Sequence, residues 1–204
     1  MNEAQRPCLI ACGIFRQELE RIVEDAKLSV DIEYLDPGLH NDPKCLENAL
    51  KKAIGDRRQK QQNNIVIIYG DVCLGFQNEM KALTENYGLV KVDALNCIDC
   101  LLGGKGKLLE IDPKHEYFFL NPAWIELEFG NRDKSKDIEE AQEEFRVLKG
   151  LFLLDTLGDL DDYSNDIAEI REYTGLPVVE RKNIGIEGIQ KVVLESIEGL
   201  AKQE

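Results

Sequence analysis

Seven short segments with strand-like patterns alternate with segments of helical spacing, and this alternation constrains the fold more than any other feature of the chain. Residues 65–69 (IVIIY) are almost wholly apolar, which is typical of a strand buried on both faces of a parallel sheet. Strand–helix units in this order favour parallel strands with helices on both faces. The sequence therefore predicts an α/β fold with one mainly parallel sheet of about seven strands.

The length of the chain limits the number of domains, and its charge limits the kinds of partner that it binds. A chain of 204 residues suits one domain, so residues 1–204 are predicted to form a single α/β domain with a charged helical insertion around 124–148. The net charge of −14 disfavours binding to nucleic acids or anionic membranes. No signal peptide and no apolar stretch near the ~20 residues of a membrane span are evident. We therefore expect a cytoplasmic protein.

Thiols and an imidazole follow several of the predicted strands. Ligands bind at the carboxyl edge of an open parallel sheet, and three of the six cysteines and one of the two histidines fall there. Zinc prefers thiolate and imidazole ligands, and thiolates also hold iron–sulfur clusters. The sequence predicts a metal site, with zinc first and an iron–sulfur cluster as the alternative. Its four predicted ligands are Cys12, His40, Cys73 and Cys97.

The cysteines also fit roles other than metal binding. Free cysteines are commonly buried, so each thiol taken singly also fits a core position. Cys97 and Cys100 form a C-x-x-C pattern at a predicted helix start, which fits a redox pair, a ligand pair, or one ligand with Cys100 in the core. Cys8 begins a strand and Cys45 lies within a predicted helix, where a small buried hydrophobic residue is expected.

Five further residues are candidates for a site. Asp71 and Asp155 directly follow apolar strands, where each fits a general base, a hydrogen-bond partner of His40, or a helix cap. Arg16 lies in a predicted first helical turn, where the helix dipole disfavours a cation, so we expect an anionic ligand or a carboxylate partner nearby. Trp124 follows a strand and fits either a pocket wall or helix packing. Together with Asn96, which precedes Cys97, Arg16 and Trp124 are the predicted cofactor-binding residues.

Six segments carry a resemblance to a known family: IACGIFRQELE, GLHNDP, IIYGDVCLGF, ALNCIDCLLGG, YFFLNPAW and LFLLDTLGD. From about residue 9 to about residue 191, the chain resembles the DUF1638 family, a group of prokaryotic proteins frequent in methanogenic archaea. The resemblance implies that the four predicted ligands occupy motif positions of the family. It also implies a link to corrinoid-dependent methyltransferase systems. Related members tend to carry a Cys-His pair at Cys73-Leu74 and a glutamate near Asp99.

Three functions follow as hypotheses. The first is a metal-binding protein whose Cys/His site acts in methyl transfer or one-carbon metabolism. The second is a non-enzymatic accessory protein that binds a corrinoid protein, a methyltransferase protein or a tetrapyrrole cofactor, with residues 124–148 as the contact surface. The third is a small-molecule enzyme that uses Asp71 or Asp155 as its base, with incidental thiols.

Overall fold

A computed structural model describes residues 6–130 and 138–202 of the protein. The chain divides into two compact units: residues 1–107 with 187–204 form unit 1, and residues 108–186 form unit 2. Each unit contains its own parallel sheet with helices packed on it. The α/β class and the parallel direction of the strands are therefore confirmed.

Unit 1 contains a four-stranded parallel sheet in the order β2-β1-β3-β4. Its strands are β1 (Cys8–Cys12), β2 (Asp31–Leu35), β3 (Ile65–Ile68) and β4 (Val90–Lys91). The chain first adds β2 on one side of β1 and then crosses over to add β3 on the other side. The strand order therefore reverses between β1 and β3, and such a switch point is where open α/β sheets bind ligands.

Helices pack on both faces of unit 1's sheet, because the buried side chains of its strands alternate between the two faces. Cys8, Ile10, Ile65 and Ile67 pack with α2 (Pro43–Gln59) and α3 (Glu79–Tyr87). The intervening strand residues point to the opposite face, where α9 (Glu187–Leu200) contacts β3 and β4 and α1 (Arg16–Asp25) contacts α9. Asp42-Pro43 is a sequence pattern that predicts a helix start, and the structure confirms it, since the Asp42 carboxylate accepts from the Lys44 N–H at 2.9 Å.

Unit 2 contains a three-stranded parallel sheet in the order β5-β6-β7. The strands are β5 (Tyr117–Leu120), β6 (Gly150–Asp155) and β7 (Val178–Asn183), and the helices are α6 (Pro122–Phe129), α7 (Ile138–Phe145) and α8 (Ser164–Thr174). Leu120, Leu151 and Leu153 pack with Ile167 and Ile170 of α8 in its core. Part of the predicted insertion, residues 131–137, lies outside the described residues.

The prediction of one seven-stranded sheet is wrong, because the strands form separate sheets of four and three. Hydrophobic periodicity identifies which faces of a strand are buried, but it carries no signal for which strands are hydrogen-bonded neighbours. The predicted fourth strand, residues 89–95, shrinks to Val90–Lys91. The chain beyond it turns, so that the Ala94 and Leu95 carbonyls accept hydrogen bonds from the loop after β3 instead of from a further strand.

Two short helices follow β4, where the sequence predicts one helix broken by glycines. α4 (Cys97–Leu102) ends at Gly103, which adopts the left-handed conformation at φ 98°, and α5 (Lys107–Ile111) begins four residues later. The predicted break is thus confirmed. Within residues 6–130 and 138–202, no helix is both long and apolar enough to cross a membrane.

Candidate functional site

The four predicted ligands all follow strands of unit 1's sheet. In the spatial order of the strands, His40 lies in the turn after β2, Cys12 is the last residue of β1, Cys73 lies in the turn after β3, and Cys97 begins α4 after β4. Neighbouring strands lie about 4.8 Å apart, so residues at the ends of adjacent parallel strands start close together. Cys12 and Cys73 lie at the carboxyl ends of the two strands that flank the switch point, which makes them the central pair.

The loop after β3 is fastened to the loop after β4. The Asp71 N–H donates to the Ala94 carbonyl at 2.9 Å, and the Val72 N–H donates to the Leu95 carbonyl at 3.0 Å. A Cβ atom on Gly70 would lie 2.3 Å from the Leu95 carbonyl oxygen, so only glycine permits this approach. The segment that carries Cys73 is therefore held against the segment that leads into Cys97 and α4.

The thiols of Cys12 and Cys73 lie at the ends of neighbouring strands, and both are protonated by burial. Both side chains are half-buried and pack against the same hydrophobic core. The pKa of Cys73 is raised to about 11, chiefly by burial and also by the neighbouring Cys12, while the Gly70 N–H and Lys91 act to lower it. Burial also raises the pKa of Cys12, against hydrogen bonding from the Ile14 N–H and Tyr69. Both groups are therefore protonated thiols at neutral pH.

Tyr69 was not among the predicted site residues, yet its side chain lies beside both thiols. It is 3% exposed. Its hydroxyl contact with Cys12 lowers the pKa of that thiol, but no described atom completes a hydrogen bond to the hydroxyl with good geometry. Burial, followed by the charges of Cys12 and Cys73, raises the pKa of Tyr69. In the sequence, the only indication of this role is the hydroxyl of Tyr69, a polar group at the end of the otherwise apolar residues 65–69.

Cys100 connects the central pair to Cys97. Cys100 is fully buried on α4, and burial raises its pKa well above the usual value, with further contributions from Cys97 and Cys73. Cys97 is half-buried in the first turn of α4. Asn96 caps this helix, because its side-chain oxygen accepts from the Asp99 N–H at 2.9 Å. The cap orients the first turn and, with it, Cys97.

His40 lies in the loop after β2, next to the loop after β1. Its Nδ1 lies 2.6 Å from the Pro37 carbonyl oxygen. Because a carbonyl only accepts, Nδ1 carries the proton, and Nε2 is the nitrogen with the lone pair in the neutral ring. A Cβ atom on Gly13 would lie 2.9 Å from the Leu35 carbonyl oxygen, so the residue after Cys12 packs closely on the end of β2.

Asp71 is held between two lysines. Its carboxylate lies 2.9 Å from Lys91 Nζ and 2.7 Å from Lys105 Nζ. Lys91, whose side chain is 13% exposed, also donates to the Val92 carbonyl. Burial raises the pKa of Asp71, but hydrogen bonds from Lys105 and Lys91 outweigh it and lower the pKa overall. An aspartate with a lowered pKa is a weak base, and this one anchors the loop that carries Cys73.

We expect the substitution Asp71→Asn to lower the free energy of unfolding at pH 7 by about 1–2 kcal/mol, because it leaves a largely buried ammonium without its counter-charge. The lowered pKa means that the carboxylate stabilises the folded state at neutral pH and loses this effect as the pH falls below its ordinary pKa of 3.8. Urea denaturation at pH 7 and near pH 3 measures both effects, and the difference between wild type and variant should shrink at the lower pH.

Asp25 provides the matched control for this ion pair. It lies 2.7 Å from Arg21 on the exposed face of α1. Exposed pairs of this kind contribute little, so Asp25→Asn should leave the free energy of unfolding nearly unchanged. Equal losses in the two variants would contradict an anchoring role for Asp71.

The other predicted residues have local partners. Arg16 lies 3.6 Å from Glu20, and its guanidinium stacks 4.1 Å from the Tyr34 ring centroid. The expectation of a carboxylate partner thus has a candidate in Glu20. Cys45, expected to be buried, is exposed and donates to the Asp42 carboxylate at 3.2 Å. Cys45 lies in the first turn of α2 and faces solvent, because the buried positions of this helix begin with Leu46.

Two predicted residues belong to unit 2. Trp124 lies on α6 and packs against the core of unit 2. Asp155 ends β6, and its carboxylate accepts from the Gly158 N–H at 2.6 Å, which closes the turn after the strand. Packing and turn formation therefore account for contacts of these two side chains within their own unit.

A metal site would require several of these side chains to converge. In the part of the chain that the structure describes, no three Cys, His, Asp or Glu side chains already form a group that could hold a metal ion. What the structure brings together is the Cys12–Cys73 pair with Tyr69, and Cys97 with Cys100 beside it.

Comparison with known proteins gives one match. The family described as "Protein of unknown function (DUF1638)" matches residues 34–193, from within β2 to α9. The matched range includes His40, Cys73 and Cys97 but begins after Cys12. Neither the curated proteins nor the solved structures yield a significant match. On the extent of the family match, the chain belongs to the DUF1638 family.

Proposed function

We propose that the carboxyl edge of unit 1's sheet binds a soft divalent metal ion, zinc first, with Cys12 and Cys73 as the central ligands. The observation that carries this proposal is the position of these two thiols at the carboxyl ends of neighbouring strands, β1 and β3, between which the strand order reverses. Zinc favours thiolate ligands, and ligands from separate strands need no local C-x-x-C pattern to converge.

Cys97 and His40 are the outer ligands in this proposal. Each belongs to a loop that is held against a loop carrying a central thiol: the approach of Gly70 to Leu95 joins the Cys73 and Cys97 segments, and Gly13 packs against the end of β2. Rotation of the ligand side chains within these half-buried loops would bring them together with a smaller structural change than refolding of the loops themselves. The ion replaces the thiol protons, and its charge offsets the burial that disfavours two thiolates in the metal-free protein.

The chemistry open to such a site follows from its coordination. Four protein ligands complete a tetrahedral zinc site, so a substrate would have to replace one of the outer ligands, and the ion would then polarise or activate the group that it binds. Methyl transfer or another one-carbon reaction, with a corrinoid or methyltransferase protein as partner, is the use that we propose. Unit 1 would supply the ligands and unit 2 would be free to contribute to recognition of that partner.

Metal analysis of protein purified without chelator tests the proposal. We expect about one zinc per chain in the wild type and a loss of most of it in Cys12→Ser and in Cys73→Ser, because each removes a central ligand. Cys45→Ser is the matched control, since Cys45 is an exposed thiol of the same unit. It should retain the wild-type zinc content.

Other outcomes of the same measurement decide between the alternatives. Detection of iron together with inorganic sulfide would show that the same thiols hold an iron–sulfur cluster instead of zinc. A visible absorption band after incubation with cobalamin or haem, in protein without zinc, would favour the accessory role instead. Equal zinc content in the wild type and both site variants would contradict the proposed ligands.

A further inference from the structure

Cys97 and Cys100 lie three residues apart in the first turn of α4. The Cys100 N–H donates to the Asn96 carbonyl at 3.2 Å, so this turn has α-helical geometry. Side chains three residues apart project from the same face of a helix, and each Cα–Cβ bond tilts towards the helix N-terminus. The side chain of Cys100 therefore leans towards that of Cys97.

This geometry places the two thiols within reach of a disulfide bond. Cα atoms three positions apart in an α-helix are about 5 Å apart, which lies inside the range of about 4.4–6.8 Å that disulfides span. The Cβ atoms are about 5–6 Å apart in a regular helix and must come roughly 1 Å closer to bond. Such a disulfide is strained, and strained disulfides are readily reduced, so the bond would form and break reversibly.

The turn that carries the two thiols is fixed by polar contacts. Asn96 caps α4 through the Asp99 N–H, and Asp99 itself is fully buried. The Asp99 carboxylate accepts from the Leu95 N–H at 3.1 Å and from the Gly106 N–H at 2.9 Å. In addition, α9 packs against α4. The two thiols therefore stay close together in the reduced protein, and closing the short ring between them costs little chain entropy.

Burial distinguishes the two thiols. Cys97 is half-buried, whereas Cys100 is fully buried. A small disulfide molecule can therefore reach the Cys97 sulfur from solvent but not the Cys100 sulfur. An accessible thiol that attacks and a second thiol that resolves the product are what a two-step exchange requires.

We propose that Cys97 and Cys100 form a redox-active dithiol that exchanges with disulfides of low molecular weight. Cys97 attacks one sulfur of the substrate disulfide, which forms a mixed disulfide and releases half of the substrate as a thiol that takes the Cys97 proton. The Cys100 sulfur then attacks the Cys97 sulfur, and the Cys100 proton leaves with the other half as a second thiol. The dithiol is thereby oxidised to a disulfide, and the substrate is reduced to two thiols.

This inference does not rest on the proposed function, because no metal takes part in the exchange. The two share one sulfur atom, that of Cys97. A Cys97 sulfur bonded to Cys100 is no longer a thiolate, so the oxidised protein would lack one outer ligand of the proposed zinc site.

Peptide mass analysis of the full-length protein in glutathione buffers, with a chelator present, tests the proposal. Trypsin cleaves after lysine, so residues 92–105 form one peptide that contains Cys97 and Cys100 and no other cysteine. We expect glutathione disulfide to remove two hydrogens from this peptide. Cys45 is the matched control, because it is exposed and is the only cysteine of the tryptic peptide 45–51. It should form a mixed disulfide with glutathione.

Dilution of the buffer separates the internal disulfide from a mixed one. Closure of the ring releases two glutathione thiols, whereas a mixed disulfide at Cys45 releases one. Tenfold dilution of the buffer at a constant proportion of oxidised to reduced glutathione should therefore raise the ratio of disulfide to dithiol in residues 92–105 about tenfold. The fraction of Cys45 that carries glutathione should stay the same.

Two variants separate the steps of the exchange. Cys100→Ser should retain glutathione on Cys97, because no second thiol resolves the mixed disulfide. Cys97→Ser changes a half-buried side chain and should leave residues 92–105 unmodified, because Cys100 is buried. The second variant and the wild-type peptide keep the test valid if Cys100→Ser does not fold.

Three results would overturn the proposal. In the first, the wild-type peptide 92–105 remains a dithiol in buffers that modify Cys45. In the second, it carries glutathione without closing the ring. In the third, oxidation links it to a peptide from elsewhere in the chain, such as the one that contains Cys73.

Discussion

The substitution Gly70→Ala should destabilise unit 1 by about 3 kcal/mol or more and should abolish metal uptake. A methyl group at this position would lie 2.3 Å from the Leu95 carbonyl oxygen and 2.5 Å from the Asn96 Cα. Both neighbours are backbone atoms, which cannot rotate away as a side chain would. Overpacking against atoms that cannot yield costs about 1–3 kcal/mol, and separation of the two loops also breaks their hydrogen bonds.

The expected loss of stability in Gly70→Ala comes from steric overlap and not from backbone conformation. Gly70 has φ −75° and ψ 162°, which any residue adopts. Gly55, in the middle of α2, is the matched control because a Cβ atom there would meet nothing within 4 Å. Gly55→Ala should stabilise the protein by about 0.5–1 kcal/mol, the usual gain in a helix interior.

Urea denaturation of both glycine variants, with zinc content measured on the same samples, checks the prediction. The loss of zinc in Gly70→Ala follows because the substitution moves the loop of Cys73 away from the segment that leads into Cys97. A Gly70→Ala protein as stable as Gly55→Ala would contradict the close approach of the two loops. A destabilised protein that still binds zinc normally would show that the approach supports the fold alone.

The parts of this structure that sequence reasoning predicts are those determined by neighbours along the chain. The cap at Asp42 and the strand at 117–120 are examples, because capping and alternation are local. The placement of Cys12 beside Cys73 also follows from a simple rule, since parallel strands end at one edge and these two strands are neighbours. Strand pairing itself is not local, which is why one predicted sheet proved to be two.

The features that sequence reasoning misses depend on residues far apart in the chain. Asp71 fits a general base by its position after β3, but its partners Lys91 and Lys105 come from β4 and from the turn after α4. No periodicity relates these three positions. Tyr69 was taken as part of an apolar strand, and only the packed core shows that its hydroxyl is buried beside thiols.

The affinity of the site for zinc should rise by at least about 100-fold for each pH unit near pH 7, because the two central thiols must each release a proton to bind the ion and Cys97, as a third thiol ligand, can only add to this slope. Burial holds the pKa of Cys73 at about 11 and also raises the pKa of Cys12 above the ordinary thiol value of 9.0. Both thiols are therefore protonated at neutral pH. Competition with a chelator of known affinity at several pH values measures the slope.

The variant Cys73→Ser should reduce this slope by about tenfold per pH unit, because one central thiol fewer releases a proton. In the metal-free protein the same raised pKa values act with a definite sign. Above the ordinary thiol pKa of 9.0, the unfolded chain loses these protons while the folded state keeps them, so the free energy of unfolding falls as the pH rises towards 11. Bound zinc removes this fall above pH 9.0, since the folded state then already holds thiolates and has no thiol protons to keep. A zinc affinity that does not change between pH 7 and pH 9 would mean that the bound ion displaces no thiol protons, and Cys12 and Cys73 would then not be its ligands.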